Sequence, residues 1–203
     1  MFTLTYPLES SFEFEGHTIN LDLTYDNILR MFELFDSDLF NSYEKVIYAL
    51  NMLLESKLPR EMEFEELFSL YKFIMKEFLE IDLDKKQDDQ PKKKYMDWKK
   101  DAGLIYASFL SEYGIDLRQE QGKMHWHTFS ALLQSLGDST KFKKVVSYRA
   151  MKVPSTKEAS EDYRKHILEM KELYSLEDKK EKLAGMESTL DAVASTFGGG
   201  GKK

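Results

Sequence analysis

Residues 61–79 read EMEFEELFSLYKFIMKEFL. Phe64, Leu67, Phe68, Tyr71, Ile74, Phe78 and Leu79 recur at steps of three and four, which places them along one stripe of an α-helix. A half-buried strand would need strict alternation, and the run lacks it. Glu61, Glu63, Glu65 and Glu66 crowd its first turn, where the helix dipole favours negative charge. No Pro or Gly interrupts it. This stretch sets the expectation of a mainly helical chain.

Reading back from it, the pattern repeats. Val46, Ile47, Leu50, Leu53 and Leu54 form a second stripe that Asn41 or Ser42 can cap and that ends before Pro59. An earlier helix carries Ile28, Leu29, Phe32 and Phe35, with Asp26 as its expected cap. Ahead of the helices the period changes to two. Phe2–Tyr6, Phe12–Glu15 and Thr18–Leu23 alternate apolar with polar residues, with Pro7 and Gly16-His17 as punctuation. Three short strands cannot stand alone, so a small N-terminal antiparallel hairpin or sheet packed on the helices is expected.

Reading forward, residues 82–94 (DLDKKQDDQPKKK) hold only Leu83 as an apolar residue and cannot bury a face. They read as a charged linker between two subdomains, or as a long loop inside one domain. Beyond it, Trp98 leads into a helix with Leu104, Ile105, Phe109 and Leu110 that stops near Gly114. Residues 124–136 carry Phe129, Leu132, Leu133 and Leu136 on one face, with Gly137 as a C-cap and Asp138 or Ser139 as the next N-cap. A helix over residues 140–149 follows. Ser155 or Thr156 then opens another with Tyr163, Ile167, Met170, Leu173 and Tyr174. The expected organisation is residues 1–81, a linker at 82–97, a helical region at 98–176 and a flexible tail at 177–203 that includes Gly198–Gly201. Trp98, Phe109, Trp126, Phe129 and Leu133 are the expected core residues.

Composition agrees with a folded chain. Of 203 residues, 42% are hydrophobic and 13% aromatic, more than disorder allows. There is no Cys, hence no disulfide framework and no thiolate chemistry. Met1–Tyr6 lacks the basic, apolar and small-residue series of a signal peptide, and no apolar run is long enough to span a membrane. The net charge of −7 is uneven. Residues 1–81 hold 16 acids and 6 bases, whereas residues 82–203 hold 20 acids and 23 bases. An acidic half argues against a whole-surface nucleic-acid binder.

Catalytic constellations are missing. His125-Trp126-His127 is conspicuous, but two positions apart on a helix the imidazoles diverge by about 200°, so they cannot face one ion. The expected role is a structural His–Trp pair at a helix start, with no metal. No GxSxG elbow, GxxxxGK loop or GxGxxG fingerprint occurs. Asp97 with Asp101 reads as a solvated helix start rather than an acid–base dyad. Lys141, Lys143, Lys144, Arg149 and Lys152, interleaved with Phe142 and Tyr148, could engage phosphates. The same residues also describe a helix with a solvated basic face. The expectation is a non-enzyme without cofactors.

Three segments carry a resemblance. They are Gly16-His17-Thr18-Ile19-Asn20 with Tyr25-Asp26-Asn27-Ile28-Leu29-Arg30; Asp101-Ala102-Gly103-Leu104-Ile105-Tyr106-Ala107-Ser108-Phe109 with Tyr113-Gly114-Ile115-Asp116-Leu117; and His125-Trp126, Phe129, Ala131-Leu132-Leu133, Thr140-Lys141-Phe142 and Arg149. Their order and spacing resemble the bacteriophage "gene product fifteen" family of siphophages. The resemblance covers about residues 1–155 and is strongest from Asp101 to Arg149. It implies a tail assembly chaperone encoded next to the tape measure protein, acting in the host cell cytoplasm. Such a protein would coat the tape measure chain, recruit tail tube protein, pair with a companion tail chaperone and self-associate. The implied job brings no catalytic or cofactor residues. Ten Met, among them Met31, Met52, Met62 and Met75, would suit grooves for apolar helices, and equally ordinary core packing. The alternatives are a structural virion component, such as a tail or connector subunit, and a nucleic-acid-binding module.

Overall fold

Glu15 and Gly16 both take positive φ, 49° and 77°. That pair of left-handed residues makes the tight turn of a two-residue hairpin. It joins β1 (Ser11–Phe14) to β2 (His17–Asn20), antiparallel, with Phe12 opposite Ile19 and Phe14 opposite His17. The computed structural model describes residues 4–85 and 93–177. Within them a third strand over Phe2–Tyr6 does not form. Leu4–Tyr6 are bends, Leu4 is 98% exposed, and residues 2–3 lie outside the described residues. Alternation creates a strand only where the segment lies along another strand, and among the described residues β1 and β2 are the two strands of the sheet.

Among the described residues the helices are α1 (Tyr25–Asp36), α2 (Ser42–Leu53), α3 (Phe64–Leu79), α4 (Ala102–Tyr113), α5 (Trp126–Ser135), α6 (Lys141–Ala150) and α7 (Glu161–Leu173). The chain is mainly helical with a small N-terminal antiparallel hairpin, as its periodicities require. Asn41 caps α2 in a reciprocal box, accepting from the Glu44 amide at 3.0 Å while the Glu44 carboxylate accepts from its own amide at 2.9 Å. Gly114 ends α4 at φ 67°, with its amide on the Leu110 carbonyl and that of Ile115 on Phe109. This is the two-bond closure that a left-handed residue permits.

Three caps differ from expectation. Thr24, not Asp26, precedes α1, and the Asp26 carboxylate instead accepts from the distant Gly122 amide at 2.9 Å and pairs with Arg30. Leu136 occupies the C-cap of α5, and Gly137 takes no left-handed conformation. Ser160 caps α7, five residues beyond Ser155, because Ser155 closes a separate turn with Glu158.

The described residues fall into two compact units. One comprises 4–85 and 103–140, the other 93–102 and 141–177. Residues 86–92, within the expected linker, and the expected tail from 178 onward lie outside the described residues.

In the first unit, Leu23 and Trp126 share a backbone bond at 2.8 Å, and Tyr25 and Met124 another at 2.9 Å. These lash α1 to the start of α5. The Phe129 ring lies between those of Tyr25 (4.7 Å) and Phe109 (5.3 Å). Ile28, Met31, Leu53 and Ile74, in the same unit, are fully buried. Each such side chain contributes about 1.5–3 kcal/mol by leaving water. In the second unit α6 packs on α7, with Val145 and Ile167 buried.

Candidate partner-binding groove

The hairpin presents Phe12 and Phe14 on one face, and α3 lies against that face. The Phe12 ring stands 5.4 Å from Phe73 and 5.9 Å from Phe78. Between the two elements lies a groove of about 610 Å³. Phe12, Phe14, Met62, Leu70 and Phe73 line it, with Phe73 still 42% exposed. Glu13, Glu15, Glu65 and Glu66 border it, against the single cation Arg60.

Arg60 organises this rim. Its guanidinium donates to both Glu66 oxygens, at 2.7 and 3.1 Å, and to Glu15 at 3.0 Å. The Arg60 bonds, helped by the Glu63 amide, hold the Glu66 carboxyl down at about 2. The same contacts raise the already high value of Arg60. One arginine therefore ties the hairpin turn to the first turn of α3, and the acids still outnumber it.

β1 also has an open edge. Register and the Leu21 amide bond to the Ser10 carbonyl (2.7 Å) make Ser10, Phe12 and Phe14 the residues hydrogen-bonded to β2. The N–H and C=O of Ser11 and Glu13 therefore point away from β2. The sheet has two strands, and among the described residues nothing pairs with that side of β1. Past the end of β2, by contrast, the chain is joined to the segment after α2: Asp22 donates to Leu53 and Glu55 donates to Asn20.

The expected core residues are placed as follows. Phe109, Trp126, Phe129 and Leu133 are buried, and Trp98 is half-buried. His125 is the N-cap of α5, its Nδ1 accepting from the His127 amide at 3.1 Å. Its Nε2 is buried without a hydrogen-bond partner. Burial first, then the neighbouring His127, lowers its proton affinity to about 4. Among the described residues no group of three or more His, Asp or Glu could hold a metal ion.

The basic stretch divides. Arg149 turns inward and binds Asp101 through two bonds of 2.7 and 2.8 Å. It also donates to the Tyr174 carbonyl at 2.6 Å and the Tyr95 carbonyl at 3.1 Å. Lys141 donates to the Tyr174 hydroxyl. Asp97 does not form a dyad with Asp101: it caps the turn ahead of α4 through the Lys99 and Lys100 amides, while its own amide donates to Asp101. Lys171 gives its ammonium to the Tyr148, Arg149 and Met151 carbonyls at the end of α6, and burial lowers its proton affinity. Met31 and Met75 are core residues, whereas Met62 reaches the groove.

Several residues with which the resemblance was argued serve as fasteners. Tyr25 donates to the Leu117 carbonyl at 2.5 Å, and burial pushes its hydroxyl up to about 12. Asn27 donates to the Asp22 and Met52 carbonyls. Asp116 accepts from the Arg118 amide in the turn after α4. The groove and the open edge escaped the sequence reading. The alternation at Phe12 and Phe14 was visible, but their facing Met62 and Phe73 depends on a tertiary contact.

Among protein families, the model described as "Bacteriophage Gp15 protein" matches residues 4–176. No curated protein and no solved structure matches the chain.

Proposed function

Because the chain belongs to the Bacteriophage Gp15 protein family, we propose that it is a non-catalytic tail assembly chaperone that holds the tape measure protein. In this reading it works in the host cell cytoplasm, keeps a long apolar chain soluble and hands it to tail tube subunits, beside a companion tail chaperone. It self-associates along that chain. The observation that carries the reading is the groove between β1 and α3: an aromatic floor, an acidic rim and a strand edge with bonding capacity to spare.

The physical logic is shielding. A tape measure segment exposes apolar side chains that aggregate in water, and an aromatic and Met-containing groove can take them. Surplus carboxylates keep the loaded chaperone soluble and attract basic segments. Supporting this, His125 and Asp97 serve as caps, and Asp101 and Arg149 form an ion pair. Among the described residues no helix is long and apolar enough to cross a membrane.

The test is co-expression with the tape measure protein of the same phage. The tape measure chain should become soluble and co-purify with this protein. If it stays insoluble and does not co-purify, the chaperone reading is refuted. Stoichiometric amounts in mature particles by mass spectrometry would make the protein a structural component instead.

A further inference from the structure

We infer that the outer edge of β1 is a strand-addition site that takes an extended segment alternating basic and apolar residues. The inference deepens the chaperone reading, on which it rests only for the partner's being a phage assembly protein.

Three observations converge. First, Ser11 and Glu13 each direct an N–H and a C=O away from β2, and among the described residues no strand meets them. An added strand would complete those bonds, the usual source of affinity when an extended peptide joins a sheet edge. Second, side chains on a strand alternate faces. Every second residue of an added strand would share the face of Phe12 and Phe14 and drop towards Met62 and Phe73, while the others would stand beside Glu13. Third, the charge is one-sided: Glu13 stands on the face that the other residues would share, and Glu15, Glu65 and Glu66 border the groove with one guanidinium that already engages Glu15 and Glu66. Apolar residues on one face and Lys or Arg on the other match both surfaces. An acidic strand would meet like charge directly opposite, which destabilises a strand pair.

The floor alone would also suit an amphipathic helix. The open edge decides between them, because a helix has already spent its backbone bonds internally and gains nothing from Ser11 and Glu13.

The experiment uses the full chain and a fluorescein-labelled peptide of alternating Lys and Val, followed by fluorescence anisotropy. Controls are the same peptide with Glu for Lys, the same composition rearranged to helical spacing, and the alternating peptide N-methylated at every second residue. The alternating basic peptide should bind. The acidic peptide should bind at least about tenfold more weakly, and N-methylation, which removes edge bonds without touching the protein, should cost about five- to tenfold. Ser11→Pro removes an outward N–H while sparing the bonds to β2. It should weaken binding by a similar factor with the far-UV spectrum and melting temperature unchanged. Glu13→Lys should invert the preference between basic and acidic peptides.

Equal binding of the N-methylated peptide, or stronger binding of the helical one, overturns strand addition. So does a concentration-dependent self-association that Ser11→Pro abolishes, which would assign the edge to a second copy. The two readings fail separately. Peptide binding without rescue of the tape measure protein sinks the chaperone, whereas rescue that Ser11→Pro and Glu13→Lys leave intact sinks the edge.

Discussion

Replacing Arg149 with Met should unfold the second unit far more easily than its place in a row of cations would suggest. The side chains of Arg149 and Asp101 are 9% and 1% exposed, and the guanidinium meets both carboxylate oxygens within 2.8 Å. Met keeps much of the stem but strands a buried carboxylate, a loss of about 3–5 kcal/mol. The Tyr95 and Tyr174 carbonyls lose donors as well, a cost already inside that range. With a urea dependence of about 2 kcal/mol per molar, the midpoint should fall by about 2 M. Trp98 belongs to the same unit and reports on it by fluorescence in a Trp126→Phe background. The informative comparison is the double variant Asp101→Leu/Arg149→Met. It removes both charges and should be less destabilised than Arg149→Met alone, since no unpaired ion remains. A single variant costing under about 1 kcal/mol, or a double variant worse than the summed singles, would refute the buried-pair account.

Two further outcomes follow from the first unit. Trp126→Ala should cost about 3–5 kcal/mol, because the indole is buried between Phe32 (5.5 Å) and Phe129 (5.8 Å). An unchanged thermal melt would remove Trp126 from the core. His125 should make the fold acid-sensitive. Its folded value, about 4, lies below the ordinary 6.5, so the unfolded chain takes up a proton first as pH falls. Stability is therefore full above about pH 6.5 and declines between there and about pH 4, by on the order of 1–2 kcal/mol once solvent screening of a partly buried ring is allowed for. His125→Asn keeps a capping acceptor and should flatten that slope in urea titrations run from pH 7 to 4. A slope identical to that of the parent chain would clear His125 of responsibility.

Local signals were readable where local physics decides. The helix from Phe64 to Leu79, the Asn41 cap and the Gly114 stop each depend on residues within one or two turns, and each stands where periodicity and capping put it, although Phe68 of the expected stripe is exposed and Leu70 and Met75 are buried. The hairpin was legible because alternation on both sides of Gly16 is a short-range pattern too. Failures came where a partner far along the chain intervenes. Leu4–Tyr6 alternates like a strand but is not placed along one. Asp26 has the chemistry of a cap, yet its carboxylate is claimed by Gly122, 96 residues away. Arg149 looked like one of a row of solvated cations, and only its distance from Asp101 in space reveals it as the row's buried member. The groove follows the same rule, since Phe14, Met62 and Phe73 are unremarkable singly and form a floor only when the hairpin lies on α3.

Among the described residues the second unit is discontinuous, built from residues 93–102 and then from 141–177. Asp101 therefore leaves the ribosome 48 residues ahead of its counter-ion Arg149. At bacterial elongation rates of roughly 20 residues per second, that is a wait of about 2 s or more. Until then the nascent carboxylate has every reason to stay hydrated, which postpones closure of this unit until most of the first has been synthesised. Expression boundaries inherit the same dependency: a fragment ending near residue 140 retains Asp101 and deletes the arginine that neutralises it, so neither unit can be excised by one cut without wounding the other.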